Sequence, residues 1–263
     1  MPTLPSSLPA LPHPAARRPL GHPARHLADV GSTMAEAAAW ADAPHGALVV
    51  AETQSAGRGR HGRVWQDEPG ASLLLSIVLR PRLAPERLGL VGLAAGLALA
   101  ETAEAFGATA ALKWPNDVLA AGPDRRLAKL AGVLAEASWA GAVPRVVLGA
   151  GLNVRQRAFP DDLAGTSLRI ATGRDIERLA PLGPFLDAFA IRLDDAERAP
   201  ASFLAAVEAR LVGIGEPCTV AFPGTDRPAL AGTAAGLAPD GALRVATPLG
   251  EQTVHAGEVT LAR

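Results

Sequence analysis

The stretch SAGRGRHGRVWQDEPGASLLLSIVL, from Ser55 to Leu79, decides how this chain is read. Gly57, Gly59 and Gly62 have the G-x-G-x-x-G spacing of a dinucleotide-binding turn. That turn works only between a strand and a helix, because the helix N-terminus holds the pyrophosphate. A strand does precede the glycines, since ALVVAE (47–52) is apolar with a β-branched centre. After the glycines come a polar loop and then SLLLSIVL (72–79), a second apolar strand. No helix begins, and no acidic residue ends a second strand about 20 positions on. The spelling is a coincidence, and the segment is a long loop between two core strands.

Arg58, Arg60, His61 and Arg63 crowd that loop. Gly-Arg repeats occur in nucleic-acid-binding tails, but this is a single copy, set between core strands, with one nearby aromatic, Trp65. Guanidinium forks match carboxylate and phosphate oxygens. The loop therefore suits an anionic ligand over which it folds. Its arginines have no evident partner in the sequence, so the loop is expected to become ordered when that ligand binds.

Outward from the loop, STMAEAAAWADA (32–43) predicts a helix with Thr33 and Glu36 as a capping box, ended by Pro44 and Gly46. Pro85 opens a long helix to about Phe106. TAALKW (109–114), KLAGVLAEAS (129–138) and RVVLGAGLNV (145–154) read as strands, and two helices are expected between Asp175 and Val212. After Gly215 the texture changes to short strands with turn signals such as Pro239-Asp240-Gly241, which reads as a small β-barrel. The expected organisation is a Pro-rich, poorly ordered leader over 1–25, a catalytic domain over 26–213 and an all-β domain over 214–263.

The net charge of −1 gives no global field for DNA, RNA or an anionic membrane. The most apolar run, LGLVGLAAGLALA (88–100), falls short of the roughly 18 residues of a membrane span and reads as a buried helix. A single cysteine, Cys218, points to a reducing, cytoplasmic setting. Of 25 basic residues only Lys113 and Lys129 are lysine. In a chain that otherwise uses arginine, their survival points to places that need a compact ammonium.

Both lysines lie in stretches with further chemistry. In KWPNDVL (113–119), Pro115 forces Trp114 out of the helical region and sharpens a turn that presents Lys113, Asn116 and Asp117 together. Such a set can meet a phosphate and its Mg²⁺, or be an ordinary Asx turn. Lys129 leads KLAGVLAE, and GAGLNV (149–154) is a strand thinned by glycine and followed by Asn153.

In this order GST (31–33), ETQSAGRGRHGRVW, KWPNDV, KLAGVLAE and GAGLNV resemble the biotin–protein ligases, and the C-terminal DGALRVATPLGEQTVHAGEVTLA resembles their terminal barrel. The resemblance runs from about Val30 to Leu261. It implies an α/β catalytic domain, a mixed sheet flanked by helices and related to class II synthetases, followed by a Src-homology-3-like barrel. It implies that biotin and MgATP give biotinyl-5′-AMP, whose acyl group passes to a lysine of a biotin carboxyl carrier protein, as of acetyl-CoA carboxylase. The short segment before the domain implies the monofunctional type, without specific DNA binding.

Carried over by motif, Ser32, Thr33 and Gln54 would bind the ureido end of biotin, with Met34 also in the biotin site. Arg58, Gly59 and Arg60 would close over biotin and adenylate, with Gly132 lining the biotin. Lys129, Arg60 and Lys113 form the implied catalytic set. Arg63, Trp65, Asn116, Asp117 and Asn153 would join Arg60, Lys113 and Lys129 at the nucleotide, with Asp117 toward Mg²⁺. Met34 departs from the family, which usually has Asn there, so a side-chain hydrogen bond is lost. The alternatives are a lipoate–protein ligase on the same fold, which would not need Ser32, Thr33 and Gln54, and a non-catalytic module that senses biotin or nucleotide.

Overall fold

The computed structural model describes residues 18–261 apart from 66, 123, 125, 140–142 and 161–162. In β2 (Leu48–Gln54) and β3 (Ser72–Leu79) successive side chains point to opposite faces of a sheet. Leu48, Val50, Leu73, Leu75 and Ile77 enter one core, while Val49 and Val78 enter a second. Both faces are buried, which is why these strands read as near-continuous apolar runs. They lie in a seven-stranded sheet of order β1-β2-β3-β7-β6-β5-β4. Its other members are β1 (Ala24–Val30), β4 (Ala110–Lys113), β5 (Asp117–Ala121), β6 (Leu127–Trp139) and β7 (Pro144–Asn153). β1 pairs with β2 in parallel and the other described pairs are antiparallel, so the sheet is mixed.

Helices cover both faces. The short α1 (Thr33–Ala39) packs on β2, β3 and β7 through Met34 and Ala37. On the other side α2 (Gly89–Ala105) lies between the sheet and α4 (Leu182–Arg198). The segment Pro85–Ala105 is long and apolar enough to cross a membrane, yet most of it is buried inside this domain. Leu90, Leu97 and Leu99 are fully enclosed; truncating such a leucine to alanine costs about 2–5 kcal/mol. Two shorter helices, α3 (Leu168–Thr172) and α5 (Pro200–Glu208), flank α4 in sequence.

The C-terminal unit is a five-stranded antiparallel sheet of order β11-β10-β9-β8-β12. It comprises β8 (Pro217–Ala221), β9 (Leu230–Leu237), β10 (Leu243–Thr247), β11 (Gly250–Val254) and β12 (Glu258–Leu261). Val220, Leu243 and Val245 join the same core as α2 and α4. The Trp114 indole N–H donates to the Gly241 carbonyl at 3.1 Å and ties the two sheets together. The α/β class with a C-terminal all-β unit is therefore as expected.

Three details differ from the sequence reading. Residues 1–17 of the expected leader lie outside the described residues, but 18–25 are built into the domain. Arg18 pairs with Glu197 at 2.6 Å, Leu20 is buried, and β1 begins at Ala24. The capping box does not form, because Ser32 is the residue before the helix and makes no side-chain cap. The Thr33 hydroxyl is instead bonded to Gln54 and Ser76, outside its own helix. Finally, β5 and α3 were not legible: β5 is a short return strand opposite β4, and α3 is five residues long.

His45, between α1 and β2, makes stability depend on pH. Its Nδ1 accepts the Arg80 backbone N–H at 3.0 Å, and its Nε2 is buried without a partner. Burial, then the charges of Arg18, Arg80 and Arg82, lowers its pKa from 6.5 to about 4. Between those values the unfolded chain binds a proton that the folded one excludes, so stability rises with pH across this window. The melting temperature is expected to fall as pH drops from 6.5 towards 4. His45→Asn, which does not titrate, should flatten that slope; an unchanged slope would dissociate His45 from it.

Candidate active site

Because β2, β3, β7 and β6 alternate in direction, four strand ends meet at one edge of the sheet: Gln54, Ser72, Asn153 and the Lys129 end of β6. A cleft of about 570 Å³ opens there, and every site residue carried over by motif from the sequence lines it. Its character changes from one end to the other.

One end is neutral and polar. Gln54 Oε1 accepts from the Thr33 backbone N–H at 2.8 Å and from the Thr33 hydroxyl at 3.1 Å. The Ser76 hydroxyl donates to Thr33 Oγ1 at 2.9 Å. These contacts fix the Gln54 amide with its NH₂ group left as a donor. Ser32 is 4% exposed and its hydroxyl is buried with no partner, an orphan that a ligand would satisfy. Met34 packs beside them. A Cβ at Gly149 would lie 2.7 Å from its Cγ and Sδ, so the thioether fits only because position 149 is glycine.

The other end is basic. The glycine-arginine loop folds back as a small hairpin: Arg58 bridges Val64, the Gly59 N–H donates to Arg63 O at 2.7 Å, and the Trp65 N–H to Gly57 O at 2.9 Å. His61 (φ 54°) and Gly62 (φ 74°) form its left-handed tip. The expectation of partnerless arginines is wrong. Arg58 makes a two-pronged pair with Glu136 (2.6 and 3.0 Å) and Arg63 pairs with Glu258. Arg60 donates to Gly257 O at 3.1 Å and to Asn116 Oδ1 at 3.4 Å. Burial pulls the Arg60 pKa below its ordinary value; Asp117 opposes this and Arg63 adds to it. An anion beside Arg60 would relieve that cost.

Beneath the hairpin the turn between β4 and β5 delivers Lys113, Asn116 and Asp117 together. Asn116 is locked to β6, its side-chain NH₂ donating to Val133 O at 3.0 Å while its backbone carbonyl accepts the Val133 N–H at 3.0 Å. Lys129 Nζ lies 2.7 Å from Asp117 Oδ1. The Trp65 indole lies on the cleft floor: a Cβ at Gly132 would come within 3.0 Å of its ring and one at Gly151 within 2.7 Å. The two glycines thus clear a flat bed on adjacent strands. Asn153 is 5% exposed and its amide group donates to Thr166 O (3.1 Å) and Lys129 O (3.4 Å).

Sequence reasoning missed Gly257 and Glu258, whose approach depends on how the C-terminal sheet docks. It also missed Phe159 and Gly165, from the segment after β7; a Cβ at Gly165 would come within 2.4 Å of the Phe159 ring. Glycine at 149 and 151, which thins the strand, is the one available signal.

Comparison with known proteins agrees with this geometry. Residues 31–153 match the biotin/lipoate A/B protein ligase family, and 213–261 match the biotin protein ligase C terminal domain. The bifunctional ligase/repressor BirA of Bacillus spizizenii is 38% identical over 160 residues, 59% of this chain; the chain spans about half (48%) of that relative's length. The biotin–[acetyl-CoA-carboxylase] ligase of Paracoccus denitrificans is 36% identical over 249 residues, covering 89% of this chain and 98% of the relative. Among solved structures, the biotin protein ligase of Aquifex aeolicus in complex with biotin and ATP superposes with a TM-score of 0.77 at 29% identity, over 91% of this chain and 98% of that one. With both domains matched in order and a relative aligned over nearly its whole length, the chain belongs to the biotin–protein ligase family.

Proposed function

We propose that this protein joins biotin to ATP as biotinyl-5′-AMP and passes the biotinyl group to a lysine of a carrier protein, a biotin carboxyl carrier domain. Residues 26–213 would form the catalytic unit and 214–263 the C-terminal domain. The observation that carries this reading is one cleft with a neutral polar end at Ser32, Thr33 and Gln54 and a basic end at Arg60, Lys113 and Lys129, with Arg58 reaching across to Glu136 on β6. Biotin has the matching asymmetry, a ureido ring at one end and a carboxylate at the other. The free Gln54 NH₂ and the orphan Ser32 hydroxyl suit the ureido carbonyl and N–H groups. Met34 offers that ring shape and polarisability but no hydrogen bond.

In the first step a biotin carboxylate oxygen attacks the α-phosphorus, and the bond to pyrophosphate breaks. Two anions must approach, so the site's contribution is positive charge and alignment. Lys129 stands between the biotin-lining strand and the nucleotide side, and its ammonium would leave Asp117 for the reacting oxygens. Asn153, through the Lys129 carbonyl, holds that lysine's backbone. Arg60 and Lys113 would take the remaining phosphates, with Arg63 and Asn116 at the rim of the nucleotide. In the second step the acceptor lysine, as a free amine, attacks the acyl carbon; AMP leaves and the amine loses a proton. Trp65 and the hairpin of Arg58 and Gly59 would shield the mixed anhydride from water.

Mg²⁺ fits as an ion carried by the nucleotide. Among the described residues no group of three His, Cys, Asp or Glu side chains could hold a metal. Asp117 would be the single protein carboxylate, with phosphate and water completing the shell. The ion would offset phosphate charge. A lipoate-specific enzyme would have no use for the ordered Thr33–Gln54 pair.

Pyrophosphate exchange should depend on biotin and ATP and be weak with lipoate in place of biotin; the reverse preference would overturn the reading. Lys129→Arg is expected to lower single-turnover adenylation on the order of 10²-fold, with biotin affinity and melting temperature much less affected. Near-wild-type adenylation would remove Lys129 from the catalytic set. Excess EDTA should abolish exchange while leaving biotin binding without ATP unchanged; loss of both would place a metal in the biotin site.

A further inference from the structure

Arg178 lies in the connection between α3 and α4, far in sequence from the glycine-arginine loop, and is 5% exposed. Its Nη1 donates to the carbonyl oxygens of Ala51 and of Ser72, each at 3.3 Å. Ala51 belongs to β2, which leads into the loop, and Ser72 is the first residue of β3 after it. One guanidinium thus grips both legs of the excursion that carries Arg58, Arg60 and Trp65. Nη2 pairs with Glu52, whose carboxylate is also 2.6 Å from His26 Nε2 on β1. Two further contacts fix the exit leg: the Val154 and Arg155 N–H groups donate to Ala71 O (3.2 and 2.9 Å), and Gln156 bonds the Ser72 hydroxyl at 2.5 Å.

A buried charge with one carboxylate partner and two carbonyl acceptors is an expensive way to stabilise a sheet. Apolar side chains would fill the same volume at lower cost. What the guanidinium supplies is rigid, planar geometry just past Ala51–Leu74, the last pair of the β2–β3 ladder, where the two legs of the loop leave the sheet. Asp67, late in the loop, belongs to the same neighbourhood: burial raises its pKa, while Ser72 and the Arg178 charge oppose that rise.

We propose that Arg178 is a positioning residue for the ligand loop: by clamping Ala51 and Ser72 it fixes the stem from which Arg58, Arg60 and Trp65 close over the bound acyl-adenylate. It touches neither substrate nor the reacting atoms. The inference rests on the biotin-ligase reading and adds to it a residue outside the cleft. A loosened stem leaves Lys113 and Lys129 in place and displaces only Arg60 of the catalytic set, so it should weaken closure more than chemistry.

The test uses the full chain loaded with biotin and ATP, and tracks loss of preformed biotinyl-adenylate to solvent, together with KM for biotin, saturating adenylation rate and melting temperature. In Arg178→Gln, adenylate loss and KM for biotin are expected to rise on the order of tenfold, as fits loss of charge-assisted hydrogen bonds, with the saturating rate changed only a few-fold. Arg178→Lys, which keeps the charge but loses the fork, should fall between the two proteins, and it carries the test if Arg178→Gln does not fold. A lower melting temperature with wild-type adenylate retention and KM in either variant would reduce Arg178 to a structural residue and overturn the proposal. If the unmodified protein formed no adenylate at all, the biotin-ligase reading would fail first, and the two failures are distinguishable.

Discussion

Repulsion among like charges is the constraint on which the site depends. Arg58, Arg60, Arg63, Lys113 and Lys129 converge on one cleft. The Arg63 charge, added to burial, lowers the Arg60 pKa, the mark of that repulsion. Without ligand the chain offsets this with its own carboxylates: Glu136 on Arg58, Glu258 on Arg63 and Asp117 on Lys129. Each comes from a different element, β6, β12 and β5, so the charge balance also joins the loop to the sheet and to the C-terminal unit. These pairs are partly exposed and worth little singly. A triphosphate and a carboxylate can therefore displace them at modest cost.

The polar end is built on the opposite plan. There the hydrogen bonds are neutral and at least partly buried, and they hold Thr33, Gln54 and Ser76 in one arrangement without any ligand. A site with one preorganised end and one exchangeable end can seat a ligand by its ring first and recruit the loop afterwards. Glycine makes both halves possible. Gly149 admits Met34, while Gly132 and Gly151 leave the flat bed on which Trp65 lies. A Cβ at 149 would run into Met34, and one at 132 or 151 into the indole.

Much of this was legible before any coordinates. The burial of β2 and β3 is implied by their unbroken apolar runs, and the strand after Gly62 is enough to reject a dinucleotide fold. The two lysines stood out because the rest of the chain uses arginine. What misled was local reasoning where a tertiary partner competes. Thr33 has the spacing of a capping box, but a hydroxyl facing Gln54 and Ser76 is better satisfied across the sheet than at its own helix end. The loop arginines looked unpaired because Glu136 and Glu258 lie far along the chain.

The sequence by itself determined the strands other than β5, the long helices and the order of motifs, because periodicity and turn chemistry act over a few residues. It also determined which side-chain types the site contains. Tertiary structure alone decided which charges neutralise which, that Asn153 holds Lys129 by its carbonyl, and that the C-terminal sheet reaches the cleft through Gly257 and Glu258. Those pairings join residues 12 to about 200 positions apart. Register and docking of whole elements set such contacts, and no local pattern encodes them.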